Sequence, residues 1–261
     1  MSTLNIPSRL KRGAYKDQET TIESAVYLIR YMCDRLGIAD LSVWDMLDVG
    51  CGTKFTQAFV DRGLPVGSYV GVDVYAEMID FLKQNVADPR FEYHHIDVRN
   101  ERYNPDAPPM TEDTDLGVGD RRFHLICLFS VFTHLAPHDY RTMLRLLRRY
   151  VRPDGRLIYT LFIDELTNSG HGFVDSIDRA LASRREPGRE VDRRVKDAAR
   201  DVKPFVDLDP DRPLLRALYS REYAYELIEG TGWTPLGLLP PNEHAQHHFI
   251  CAPAQRGSSG G

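Results

Sequence analysis

One short segment, Leu47-Asp48-Val49-Gly50-Cys51-Gly52-Thr53-Lys54, constrains the fold more than any other part of the chain. An apolar strand pattern runs into two glycines one residue apart, and a helical pattern starts directly behind them. Glycine takes positive φ without steric cost and lets the backbone approach a ligand, while the first N–H groups of the following helix point at the same place. The segment therefore predicts a ligand cradle at the carboxyl edge of a parallel sheet.

The rest of the chain supplies that sheet. Thr20-Thr21-Ile22-Glu23 has the capping-box spacing, and Ile22, Val26, Ile29, Cys33 and Leu36 recur at helical intervals until Gly37. Strands are expected at 44–49, 69–72, 91–96, 123–129, 156–163, 233–238 and 247–252, with helices at 55–62 and 75–86. A further helix opens at Pro137 with Tyr140, Leu144, Leu147 and Val151 on one face, and another spans 221–229. The turn Pro153-Asp154-Gly155 leads into the fifth strand, and the last two strands should form a hairpin. Strands alternating with helices imply a parallel sheet with right-handed crossovers. Residues 99–122 break the rhythm and read as a flexible insertion. Residues 164–219 read as a cap, with a loop at Asn168–Gly172 and a charged helix carrying Val191, Val195, Ala199 and Val202. Residues 1–40 form an N-terminal helical segment or lid, 1–255 one domain, and 256–261 a linker-like tail.

Composition narrows the partners. A formal net charge of -5 lacks the clustered cation excess that holds a phosphate backbone, so no nucleic-acid partner is expected. No apolar run approaches the length of a spanning helix, and Cys33, Cys51, Cys127 and Cys251 form no CxxC pair. These features point to a soluble cytoplasmic protein with reduced thiols and no membrane insertion; a homodimer is compatible with them.

Two further acids define what the cradle holds. Asp73 closes the second strand, where a carboxylate can take a ribose diol. A dinucleotide fingerprint would need glycine where Phe55 stands. The arrangement instead resembles the class I methyltransferases, in which an acid precedes alternating glycines by two residues: Asp48, Gly50 and Gly52 match, and the third glycine position holds Lys54. Further segments follow in the family's order. Asp73 in Gly71-Val72-Asp73-Val74 matches the ribose acid, and Asp97 in His95-Ile96-Asp97-Val98 the residue that usually meets the adenine amine. Phe129-Ser130-Val131-Phe132-Thr133-His134-Leu135 looks like the family's segment after strand four. Arg152–Arg156 and Gly230–Trp233 resemble the turns before strands five and six. The resemblance implies a Rossmann-like class I methyltransferase fold: a seven-stranded, mostly parallel sheet with an antiparallel terminal strand and helical cap insertions. It implies S-adenosyl-L-methionine as cofactor, bound by Asp48, Gly50, Cys51, Gly52, Asp73, Val74, Asp97, Val98 and Ser130. Tyr15 and Lys16 fall where a lid over the cofactor is common.

Methyl transfer from a sulfonium needs in-line alignment and, for a hydroxyl acceptor, a base. His134, just beyond the fourth strand, is the leading candidate, set against a plain packing role; His138 is a weaker choice. Asp164 and Glu165 could orient that base, bind acceptor hydroxyls or, with His134, hold a divalent ion. Catechol-type metal sites of this fold place Asp where Ser130 stands, so no metal is expected. His171 could swing over the pocket, whereas His244, His247 and His248 read as surface or edge residues. The expected reaction is O-methylation of a small hydroxyl compound, preferentially a saccharide. The competing readings are a fatty-acid or other carboxylate methyltransferase and a non-catalytic cofactor-binding scaffold. Fold alone does not choose among acceptors.

Overall fold

Met46, Leu47 and Val49 of strand β1 (Asp45–Val49) are enclosed on both faces, as a central strand of a parallel sheet requires. The structure is a computed structural model that describes residues 4–11, 17–100, 103–163, 204–208, 213–241 and 246–255. Two compact units share the chain: one holds Met1–Pro109, Asp113–Cys127 and Tyr150–Arg156, the other Met110–Glu112, Leu128–Arg149 and Leu157–Gly261.

In the first unit β1 pairs in parallel with β2 (Ser68–Asp73) on one side and β4 (Phe123–Leu128) on the other, and β3 (Phe91–His95) extends the sheet beyond β2. The crossovers are α2 (Lys54–Arg62), whose first half from Phe55 to Phe59 is buried all round, and α3 (Ala76–Asn85), which buries the stripe Met78, Ile79 and Leu82. Helix α1 (Gln18–Leu36) packs on α2 and buries Ile22, Val26 and Ile29, and it stops at Gly37 in the left-handed conformation. Its start differs from the capping-box expectation at Thr20. Asp17 is the N-cap, accepting from Thr20 N–H at 2.8 Å, while Glu23 bonds Arg62 Nη2 of α2 at 3.1 Å. In the 99–122 insertion, Leu116 and Val118 are buried.

The second unit is built on the later part of β5 (Val151–Ile163), which pairs in parallel with β7 (Ala217–Tyr219) and antiparallel with β9 (His247–Pro253). The expected terminal hairpin is present as β8 (Trp233–Leu239) against β9. Helices α4 (Pro137–Leu147) and α5 (Arg221–Glu226) belong to this unit, and Trp233 Nε1 donates to Leu144 O at 2.7 Å. Aromatic residues dominate its interior: Phe132, Tyr140, Tyr159, Tyr219 and Phe249 are fully enclosed, with the Tyr140 and Tyr159 hydroxyls 2.7 Å apart.

Three expectations are corrected. β5 begins at Val151, so that residue belongs to the strand and not to α4. Gly155 sits within it because a Cβ there would meet Val151 Cγ2 at 2.7 Å and Phe123 O at 2.9 Å. The end of the region read as a cap contains two short strands, β6 (Phe205–Asp207) and β7, paired antiparallel, so the described residues hold nine strands where seven were expected. His247 and His248 are buried in β9, a strand paired on both sides, instead of lying at the surface or an edge. Residues Asn168–Gly172 and the charged stretch around Val195 fall outside the described residues.

Candidate active site

The glycine turn is tied to the strand beside it. Gly50 N–H and Cys51 N–H both donate to Val72 O, at 2.8 and 3.1 Å, and Gly50 and Gly52 adopt φ of 73° and 53°. Those left-handed values explain why glycine stands at these two positions. Lys54 takes the third glycine position of the pattern, yet it is already the first residue of α2, where any L-residue fits. Its side chain is partly enclosed, and burial lowers the pKa of its ammonium group. A Cβ built on Gly52 meets nothing within 4 Å, so the space beside Gly52 is open.

Asp73 ends β2 with only 2% of its surface exposed, and its carboxylate is locked in rotation. Oδ2 accepts from Gly52 N–H at 3.1 Å and Oδ1 from Tyr75 N–H at 3.0 Å.

Asp48 lies in β1, before the turn, and is almost fully enclosed. Tyr69 OH donates to Oδ2 at 2.6 Å and the Cys127 thiol to Oδ1 at 3.4 Å. Burial pushes its pKa up to about 7, against the lowering effect of those two donors, and the charge of Asp73 adds to the rise. The Cys127 thiol is itself pushed well above its ordinary value, mainly by burial. Gly71 packs against Cys51: a Cβ on it would lie 2.9 Å from Cys51 Sγ.

At the carboxyl end of β3, Val98 is buried and Asp97 is exposed, with Oδ1 accepting from Asn104 Nδ2 at 3.0 Å. Val74 is half-buried, and the ring of its neighbour Tyr75 stacks on Tyr103, with centroids 6.0 Å apart. The first unit thus brings together Asp48, Gly50, Cys51, Gly52, Asp73 and Val74 around the ends of β1 and β2, with Asp97 and Val98 after β3.

The remaining predicted groups lie in the second unit. Ser130 follows β4 with φ 58°, a costly value for a residue with a side chain. It is pinned by Thr160 Oγ1, which accepts its N–H at 2.8 Å, and its hydroxyl is paired with the Gln246 amide. His134 ends a 3-10 turn, Phe132–His134, half-buried, with Nδ1 3.1 Å from Leu214 O. A carbonyl only accepts, so Nδ1 carries the proton and, in the neutral ring, Nε2 bears the lone pair. Leu214 is the other non-glycine residue described with positive φ, 57°, and its N–H donates to Asp207 Oδ2 at 2.9 Å. His138 is exposed in the first turn of α4. Asp164, Glu165, His171, His244, Tyr15 and Lys16 fall outside the described residues. Among the described residues no three His, Cys, Asp or Glu converge as a metal site, and no helix is long and apolar enough to cross a membrane. The supporting residues Tyr69, Asn104, Thr160, Leu214 and Gln246 carry no sequence motif, and sequence reasoning missed them.

Residues 46–155, the segment from β1 through the start of β5, match the family model described as a methyltransferase domain. Similar solved structures share the fold. A protein of Pyrococcus horikoshii OT3 is 16% identical, with 91% of this chain and 92% of that chain covered and a TM-score of 0.51. Magnesium protoporphyrin IX methyltransferase from Synechocystis PCC 6803, solved with bound SAH, is 10% identical over 94% and 92% of the two chains, with a TM-score of 0.50. The glycopeptide N-methyltransferase MtfA is 12% identical over 93% and 100%, with a TM-score of 0.52. The central sheet is mostly parallel and Rossmann-like, the fold shared with those structures, and the match to the methyltransferase-domain family covers residues 46–155 of the chain.

Proposed function

We propose that the protein is an S-adenosyl-L-methionine-dependent methyltransferase that methylates a hydroxyl group of a small molecule, with a saccharide as the first acceptor class to test. The observation that carries the donor assignment is Asp73. Its carboxylate is held by the Gly52 and Tyr75 N–H groups at a glycine turn with open space beside Gly52, which supports a ribose diol here with the rest of the donor along the turn. Bound there, the donor supplies a methyl group already activated by its sulfonium. The protein's share is to hold the donor, align the acceptor and remove the acceptor's proton.

His134 supports hydroxyl chemistry. Its Nδ1 lies 3.1 Å from Leu214 O, a contact that orients the ring, and as base the imidazole would take the proton of the acceptor hydroxyl during methyl transfer. Asp164 and Glu165 are assigned to the acceptor side, to orient hydroxyls or the base. Cytoplasmic location and a small-molecule partner belong to the same reading.

Calorimetry with S-adenosylhomocysteine is the direct test. Wild type should bind, Asp73→Ala should lose binding, and a wild type that binds nothing overturns the donor assignment. Radiolabelled methyl transfer to saccharide, phenol, amine and fatty-acid acceptors then tests the acceptor. Label on an amine or a carboxylate alone refutes hydroxyl specificity, and label on none with intact donor binding favours a non-catalytic scaffold.

A further inference from the structure

The insertion after β3 begins with a loop that closes on itself. Asn100 and Asn104 exchange backbone hydrogen bonds at 3.0 and 2.9 Å, and the Asn100 side-chain carbonyl accepts Tyr103 N–H at 3.1 Å. Arg99 N–H donates to Pro108 O at 2.7 Å, which fastens the next turn as well. These bonds fix the backbone at Asn100, Tyr103 and Asn104.

Two of those side chains reach back to the ends of the strands. The Asn104 amide donates to Asp97 Oδ1 at 3.0 Å, and the Tyr103 ring lies 24° from parallel with Tyr75. Tyr75 is fixed from below, because its N–H donates to Asp73 Oδ1 and its hydroxyl to Glu77 Oε2 at 2.9 Å. One loop therefore grips the residues that follow both β2 and β3. Without Asn104, an exposed Asp97 carboxylate would be free to turn about its terminal torsion, and its oxygens would be averaged over many directions.

We infer that Asn104 and Tyr103 are positioning residues that set the protein's selectivity for the adenine ring of its donor. The inference rests on the methyl-donor reading above. Asn104 occupies Oδ1 of Asp97 and fixes the carboxylate so that its second oxygen accepts from the exocyclic amine of adenine. Tyr103 holds Tyr75 as an aromatic wall beside the ring. A carboxylate can accept from an amine but is repelled by a carbonyl oxygen, so the fixed geometry separates adenine from its deaminated counterpart hypoxanthine.

The test compares two ligands by calorimetry: S-adenosylhomocysteine and S-inosylhomocysteine, which carries a carbonyl in place of the amine. Wild type should prefer the adenine compound. Asn104→Ala should weaken that compound about tenfold and leave the inosine compound unchanged, so the preference collapses. Asn104→Ser should behave the same way and serves if the alanine variant fails to fold. Tyr103→Ala should weaken both ligands about three- to tenfold, and Tyr103→Phe, which keeps the ring, should restore them. Full preference retained in a folded Asn104 variant overturns the inference, as does equal weakening of both ligands. A wild type that binds neither compound overturns the donor reading itself.

Discussion

Replacing Asp48 with asparagine should make the protein more stable at neutral and alkaline pH. The folded state holds the Asp48 proton up to about pH 7, whereas an unfolded chain releases it near the ordinary aspartate value of about 3.9. Between those two values the folded state binds the extra proton, so stability falls as pH rises through the window and levels off above it. Three units at about 1.36 kcal/mol each amount to about 4 kcal/mol lost by pH 8. An asparagine side chain at this position has the same shape, still offers an oxygen to Tyr69 OH and never titrates. Asp48→Asn should therefore differ from wild type by only about 1 kcal/mol near pH 4.5 and gain on it steadily, to about 4 kcal/mol at pH 8. Urea unfolding of both proteins followed by circular dichroism from pH 4.5 to 8.5 measures the difference, and shared titrations cancel in it. A difference that does not change with pH, or an asparagine variant less stable at pH 8, refutes the assignment of Asp48 as a buried acid that holds its proton.

Three further outcomes follow from the same geometry. Gly71→Ala forces a methyl group to within 2.9 Å of Cys51 Sγ and 3.0 Å of Tyr93 Cδ1, and should cost about 1–3 kcal/mol in urea unfolding. Adding Cys51→Ala should return part of that loss, and no recovery would place the clash elsewhere. His134→Ala should abolish turnover while leaving S-adenosylhomocysteine affinity in calorimetry unchanged; full turnover removes it as the base. Leu214→Gly keeps the carbonyl that meets His134 and removes the left-handed penalty of about 1–2 kcal/mol, so its turnover should survive. A loss as large as that of His134→Ala would show that the Leu214 side chain, not its carbonyl, is what matters.

How much of this was legible beforehand follows from the sequence range of each interaction. The glycine turn is a local object: apolar strand, two positive-φ glycines and a helix start lie within a few residues, and all of them were readable. Asp73 and Asp97 were readable too, as acids at strand ends. The start of α1 was misread because local spacing offered Glu23 to the helix N-terminus, while the fold gave it to Arg62, 39 residues away. The paired strands β6 and β7 were missed for a related reason: three-residue strands leave no periodicity to detect.

The supports of the site are the extreme case. Asp48 takes its two donors from residues 21 and 79 positions away, Ser130 is pinned from 30 and 116 away, and His134 meets a carbonyl 80 away. Such pairings arise only once parallel strands lie side by side, so a chain read in order shows which groups could face a donor but not what fixes them. That difference alters the reading of Asp48 itself. From the motif it is an acid of the cofactor site; in the fold Tyr69 and Cys127 engage both its oxygens and burial pushes its pKa up to about 7. Below about pH 7 Asp48 then adds no charge beside Asp73. Above it the two carboxylates repel, and a positively charged donor would relieve that repulsion. Donor binding should accordingly tighten as pH rises through 7 in wild type and stay flat in Asp48→Asn.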